Sequence, residues 1–298
     1  MGNYLIQGGN GNDQISGDRE DTIFGGEGSD LIRANYRNDI VFGGVGNDTI
    51  YGDSVDGALS GLDTLDAGDG NDLLYGGAFN DILIGGAGAD LFDGGQGYDI
   101  ADFGAEAGPL VINLTLVGSQ DTGAGLDTFV GFVGIERVYC GAGNDSIVGN
   151  ADRNLLRGGG GNDTLAGRAG SDVLVGEVGD DRLSGGEDAD TLNGGAGSDT
   201  LIGGTGADLF RGRGGSDVFD FAGNGGARDT VGDFSTALDH LRLDPGQSFT
   251  AVTTGDFDGD GMADATRLTH AGGQVDVPGV VLPGDGTAML AAWNGFLI

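Results

Sequence analysis

The sequence predicts an all-β chain wound as a parallel solenoid. Three observations carry that expectation: 67 of the 298 residues are Gly, an Asp returns every nine residues over two long runs, and a large apolar residue stands two positions after nearly every one. A nine-residue unit leaves about three residues for a strand, beside a Gly-rich turn in which positive φ costs little. Two units bring the chain back above its start, so successive coils lie ~4.8 Å apart and residues eighteen apart stack on one edge.

The first block, residues 1–102, opens with Gly8-Gly9-Asn10-Gly11-Asn12-Asp13-Gln14-Ile15-Ser16. Its register Asp residues are Asp13, Asp21, Asp30, Asp39 and Asp48, then Asp63, Asp72, Asp81, Asp90 and Asp99. The fifteen-residue step from Asp48 to Asp63 predicts a six-residue bulge within Gly52 to Leu62 that leaves the coil and returns in register. Two units are irregular. Asp21 follows the short, doublet-free Gly17-Asp18-Arg19-Glu20, and Asp39 follows Ala34-Asn35-Tyr36-Arg37, so these two edges are expected to be partly or wholly without metal.

Residues 103–137 read as a β excursion covering the end of the first roll. Val111-Ile112-Asn113-Leu114-Thr115-Leu116 alternates as a strand, and apolar character resumes at Gly131-Phe132-Val133-Gly134-Ile135-Glu136. Glu106 and Glu136 make no convincing acid/base pair among 47 acidic residues.

The second block, 138–221, is stricter: Asp145, Asn154, Asp163, Asp172, Asp181, Asp190, Asp199, Asp208 and Asp217 follow without a slip, and only Asn154 lacks a carboxylate. The residue two positions on is Ile, Val, Leu or Phe at eighteen of the nineteen register positions, Ala101 being the weak member. The predicted core is therefore a ladder of single apolar side chains, one per strand.

Residues 222–298 read as a cap. Phe219-Asp220-Phe221, Asp229 to Phe234 and Asp239-His240-Leu241-Arg242-Leu243 close the array, and both histidines, His240 and His270, fit surface or cap positions better than ligand positions. Gly286 to Trp293 is a short helix candidate followed by the apolar end Phe296-Leu297-Ile298.

Composition excludes several chemistries. There is no Lys, so Walker, Schiff-base and Ser-Lys sites are absent; no HExxH or GxSxG occurs; and Cys140 alone allows neither an internal disulfide nor a Cys-rich metal site. A formal charge of -34 disfavours nucleic acid and anionic membrane, and no run reaches membrane-spanning length. Asp outnumbers Glu 41 to 6, which points to tight turns presenting oxygens to a cation.

The pattern GGxGxDxUx, seen in Gly43 to Tyr51 and Gly194 to Ile202, resembles the RTX, or hemolysin-type calcium-binding, nonapeptide over about two-thirds of the chain. The resemblance implies a right-handed β-roll with multiple Ca²⁺ ions between its turns, extracellular location and export by a type I secretion apparatus. The register Asp residues are then the metal candidates. The apolar C-terminus resembles the uncleaved export signal of such substrates.

Physical chemistry supports the ion. Two stacked carboxylates ~5 Å apart repel by ~3 kcal/mol at an effective dielectric of 20, as much as burying one Leu or Ile returns. Ca²⁺ takes six to eight oxygens and reverses the sign of that interaction, so binding becomes folding free energy.

A second calcium-type loop is expected at Asp256, Asp258, Asp260, the Met262 carbonyl and Asp264, in a DxDxDGxxD pattern between strand-like flanks. Arg267 stands where an EF-hand needs Glu. The leading expectation is a secreted, non-enzymatic calcium-binding protein with structural or binding duty at a cell surface or polysaccharide. The accessory module of an RTX protease or alginate epimerase and a self-associating surface-layer or matrix protein stay open beside it.

Overall fold

The computed structural model describes residues 4–54, 60–116, 118–130, 134–223, 225, 227–235, 237–243, 245, 247–248, 251–255, 265–270 and 273–278. The calcium-type loop 256–264 and the helix candidate 286–293 lie outside the described residues. All described regular structure is β, coiled as a parallel solenoid of the β-roll type. None of it is a helix long and apolar enough to cross a membrane.

The chain forms two units, residues 1–150 and 151–298. In the first, Leu5–Asn10, Thr22–Glu27, Ile40–Val45, Thr64–Asp69, Ile82–Ala87, Ile100–Phe103 and Arg137–Cys140 stack in parallel. The alternate strands Gln14–Ser16, Leu31–Asn35, Thr49–Asp53, Leu73–Ala78, Leu91–Gln96 and Leu126–Phe129 form the opposing parallel stack. Register places Ile23 beside Val41 and Leu65 beside Leu83, so like positions of successive coils coincide. The step from Ile40 to Thr64 keeps that register, as the bulge argument requires. Asp53 ties the inserted loop down by accepting from the N–H of Gly61 at 3.1 Å and of Ala78 at 2.7 Å.

In the second unit, Leu155–Gly160, Val173–Val178, Thr191–Ala196, Leu209–Gly214 and Arg228–Val231 make one stack, which Gly273–Pro278 joins in parallel and Ala265–His270 and Ala251–Gly255 extend by antiparallel pairing. Thr164–Arg168, Arg182–Glu187, Thr200–Thr205, Val218–Asp220 and His240–Arg242 make the other. An Arg267–Asp276 pair, with bonds of 2.6 and 2.8 Å, pins the added strands.

All nineteen predicted core positions are buried, from Ile15 to Phe219, and small Ala101 is sealed like the rest, between Leu83 and Val138. Each strand turns one of these residues inward. The turns need left-handed backbone, supplied by glycines such as Gly195 at φ 119° and Gly197 at φ 140°. Among the described residues seven that are not Gly, Glu177 at φ 80° one of them, also adopt positive φ.

Candidate metal-binding edges

The register Asp residues line the turns, where sequence spacing brings residues of successive coils together. In the first unit one edge carries Asp21, Asp39, Asp63, Asp81 and Asp99, the other Asp13, Asp30, Asp48, Asp72 and Asp90. In the second unit the edges are Asp172, Asp190 and Asp208 after Asn154, and Asp163, Asp181, Asp199 and Asp217. All are buried except Asp13, which is half-buried, although each is a carboxylic acid. Asp145 is buried as well, and its Oδ1 accepts from the N–H of Leu110 at 2.8 Å.

One rule holds along every edge. From the second register residue of an edge onward, the Asp Oδ1 accepts a hydrogen bond from the backbone N–H of the register residue one coil earlier, with lengths of 2.6 to 2.9 Å between repeat members. That bond satisfies a buried donor which the turn leaves outside the sheet ladder. A reciprocal bond runs one position earlier in the motif, where the side chain of Asn12, Asn47, Asn71, Asn162 or Asp180 accepts from the next coil's backbone.

The second oxygen has no such use. Oδ2 is buried without a hydrogen-bond partner in Asp13, Asp30, Asp39, Asp48, Asp63, Asp72, Asp81 and Asp99, and in Asp172, Asp181, Asp190, Asp199 and Asp208. In Asp13, Asp30, Asp48, Asp81, Asp99 and Asp181 it points to the Gly five residues before its own Asp, where a carbonyl of the following coil also converges, and Asp63, after the insertion, meets Gly52 and the Gly76 carbonyl in the same way. A Cβ on Gly43 would lie 2.5 Å from both Asp48 Oδ2 and the Ala67 carbonyl, and one on Gly76 would lie 2.5 Å from Asp81 Oδ2 and 2.8 Å from the Gly94 carbonyl. At these turns the oxygens occupy the place a side chain of the motif's first Gly would take.

A bare, buried carboxylate oxygen costs free energy unless a cation faces it. Burial, followed by neighbouring edge carboxylates, pushes Asp39 up to about 8 and Asp81 up to about 9 against backbone bonds that lower them. Asp63, Asp90, Asp190 and Asp199 rise to about 7, again chiefly through burial. Among the described residues no three His, Cys, Asp or Glu side chains converge as a metal cluster. The edges instead offer one or two carboxylate oxygens plus carbonyls per turn, a donor set of hard oxygens that suits Ca²⁺ and lacks the N and S ligands zinc prefers.

The irregular edges differ from one another. Asp21 Oδ2 accepts from the N–H of Asp18 at 3.0 Å and of Arg19 at 3.3 Å, so it caps its own short turn. Asp39 keeps a bare Oδ2, but Ala34 replaces the Gly five residues before it, as Ala67 does before Asp72.

Four further carboxylates occupy ladder positions that the sequence reading left unassigned. Asp127 and Glu136 accept from the N–H groups of Asp90 at 3.0 Å and Asp99 at 2.9 Å; Asp229 and Asp239 accept from Asp208 at 3.0 Å and Asp217 at 3.1 Å. The signal was present: Phe129, Val138, Val231 and Leu241 stand two residues after them, and 127, 136 and 145 are nine apart.

The family model for the RTX calcium-binding nonapeptide repeat matches residues 5–23, 24–57, 58–83, 66–101, 130–165, 139–174, 166–201 and 193–225. The chain belongs to this RTX family. No curated protein matches it in sequence. Among solved structures, the extracellular lipase LipA from Serratia marcescens is similar over 86% of the RTX chain, with 19% identity and a TM-score of 0.20. The chain spans 38% of that lipase, and so low a score carries no argument.

Proposed function

We propose that this RTX chain is a secreted protein whose rolls fold on binding several Ca²⁺ ions outside the cell, with a structural or binding duty there. The observation that carries the reading is the row of buried, partnerless Oδ2 atoms, of which those of Asp30, Asp48, Asp81 and Asp181 face a carbonyl from the next coil. With calcium between them the edges are neutralised; without it, stacked carboxylates oppose the apolar ladder. The weak class of oxygen sites, ~10⁻⁴ to 10⁻³ M, stays empty in cytosol and fills outside, which suits export of an unfolded chain by a type I apparatus. The reading assigns no bond-making step to the described residues, and a cell surface, a polysaccharide or further copies of the chain are the partners it proposes.

Calcium titration of the EGTA-treated protein, followed by circular dichroism and size-exclusion chromatography, tests it. A gain of β signal and a smaller hydrodynamic radius are expected at sub-millimolar to millimolar Ca²⁺, with Mg²⁺ much weaker. A spectrum and radius indifferent to EGTA overturn the reading.

A further inference from the structure

The excursion rejoins the first roll by two strands, and its two edges are finished differently. At one edge, Asp99 is fully buried and its Oδ2 has no hydrogen-bond partner. A Cβ on Gly94 would lie 2.5 Å from that oxygen and would overlap the carbonyl of Gly134, which comes from the excursion's exit. Glu136 adds a second carboxylate in the same turn, its Oε2 accepting from the Asp99 N–H at 2.9 Å. This is the oxygen arrangement of the repeat edges, with Glu136 standing where the repeat has Asp.

At the other edge, Asp127 takes the ladder position, but the residue five before it is Thr122 rather than Gly. Thr122 is fully buried, and its hydroxyl donates to Asp127 Oδ2. A protein hydroxyl fills the place that Gly leaves open elsewhere.

We propose that the excursion closes the first roll asymmetrically: a calcium ion held by Asp99, the Gly134 carbonyl and Glu136 at one edge, and the Thr122 hydroxyl in place of an ion at Asp127. The inference rests on the calcium reading of the repeats. The ion at Glu136 then ties the exit of the excursion to the roll, and ordering of residues 104–126 depends on calcium.

Crystals of the full chain grown with calcium chloride, measured for calcium anomalous scattering, are expected to show density between Asp99 and Gly134 and none at Asp127. In Thr122→Gly, which restores the repeat residue, density is expected at Asp127 as well. In solution, hydrogen exchange of residues 104–126 during calcium titration should show Glu136→Gln raising the midpoint at least fivefold while strands 173–178 and 191–196 keep theirs, with partial restoration by Glu136→Asp. Density absent between Asp99 and Gly134 while the repeat edges are filled, equal midpoints for wild type and Glu136→Gln, or an empty Asp127 edge in Thr122→Gly overturns the inference. If strands 173–178 and 191–196 themselves ignore calcium, the calcium reading of the whole roll fails instead.

Discussion

Asp199 holds Asp181 through a single oxygen: its Oδ1 accepts the backbone N–H of Asp181 at 2.8 Å, while its Oδ2 stays buried and bare. The two oxygens of one side chain thus serve different ends, one a structural clamp and the other a charge awaiting a counter-ion. Substitutions separate them.

Asp199→Asn keeps a carbonyl-type acceptor for the Asp181 N–H and removes the charge, whereas Asp199→Ala removes both. Both variants are expected to need more calcium to fold. In EGTA at pH 8, Asp199→Asn should be the more ordered of the two, by about 1–3 kcal/mol, the cost of a buried unsatisfied donor. Equal ellipticity of the two variants in EGTA would contradict the division of labour.

Asp181→Ala should raise the calcium midpoint for folding more than Asp21→Ala does. Asp181 carries a partnerless Oδ2, whereas both oxygens of Asp21 already serve backbone donors, Tyr4 on one side and Asp18 with Arg19 on the other. Calcium titrations of the two variants in parallel provide the comparison, and equal shifts count against the ranking.

Gly176→Ala would drive a methyl into Asp181 Oδ2 and to 2.6 Å from the Gly194 carbonyl, whereas a Cβ on Gly160 meets nothing within 4 Å. Overpacking of the first kind costs about 1–3 kcal/mol, and open surface changes stay within about 0.5 kcal/mol. Urea denaturation in millimolar calcium should therefore separate the two alanine variants clearly; coincident midpoints would disprove the crowded cradle.

Acid should act in opposite directions with and without calcium. Burial raises Asp81 from 3.8 to about 9 and Asp190 and Asp199 to about 7, so the metal-free fold holds protons that an unfolded chain releases. Stability from this source is complete below about pH 4 and is lost as pH climbs through 7 and on to 9. The EGTA-treated chain is expected to gain β structure when taken from pH 8 to pH 5, while the calcium-loaded chain loses calcium over the same change as protons compete for the same oxygens. An EGTA-treated chain whose dichroism is the same at both pH values would refute this.

The coil and its core were legible because a nine-residue period leaves no other way to bury Ile23, Val41 and Leu65 together. The inserted loop after Asp48 was legible for the same reason, since register resumed at Asp63. Glu136 and Asp127 were not, because no Gly doublet precedes either carboxylate, although Val138 and Phe129 follow them two residues later. Asp229 and Asp239 escaped because their spacing from Asp217 departs from nine. The partnerless oxygen was invisible in the sequence: only the packed turn shows that Oδ1 and Oδ2 of one Asp meet different fates.

The clamp between coils has a polarity. Along residues 154–239 the register carboxylate of the later coil accepts and the register N–H of the earlier coil donates, while the position just before runs the opposite way at Asn162 and Asp180. A roll assembled from its C-terminal side therefore advances with the register Oδ1 atoms solvated at its growing tip, both oxygens of each carboxylate free to gather ions before the next coil lands; assembled from the other side, its tip shows the register amides, with each Oδ1 already engaged. Pulse-labelled hydrogen exchange after calcium addition should find strands 209–214 protected before strands 155–160, and the reverse order would show that the bond's direction does not steer assembly.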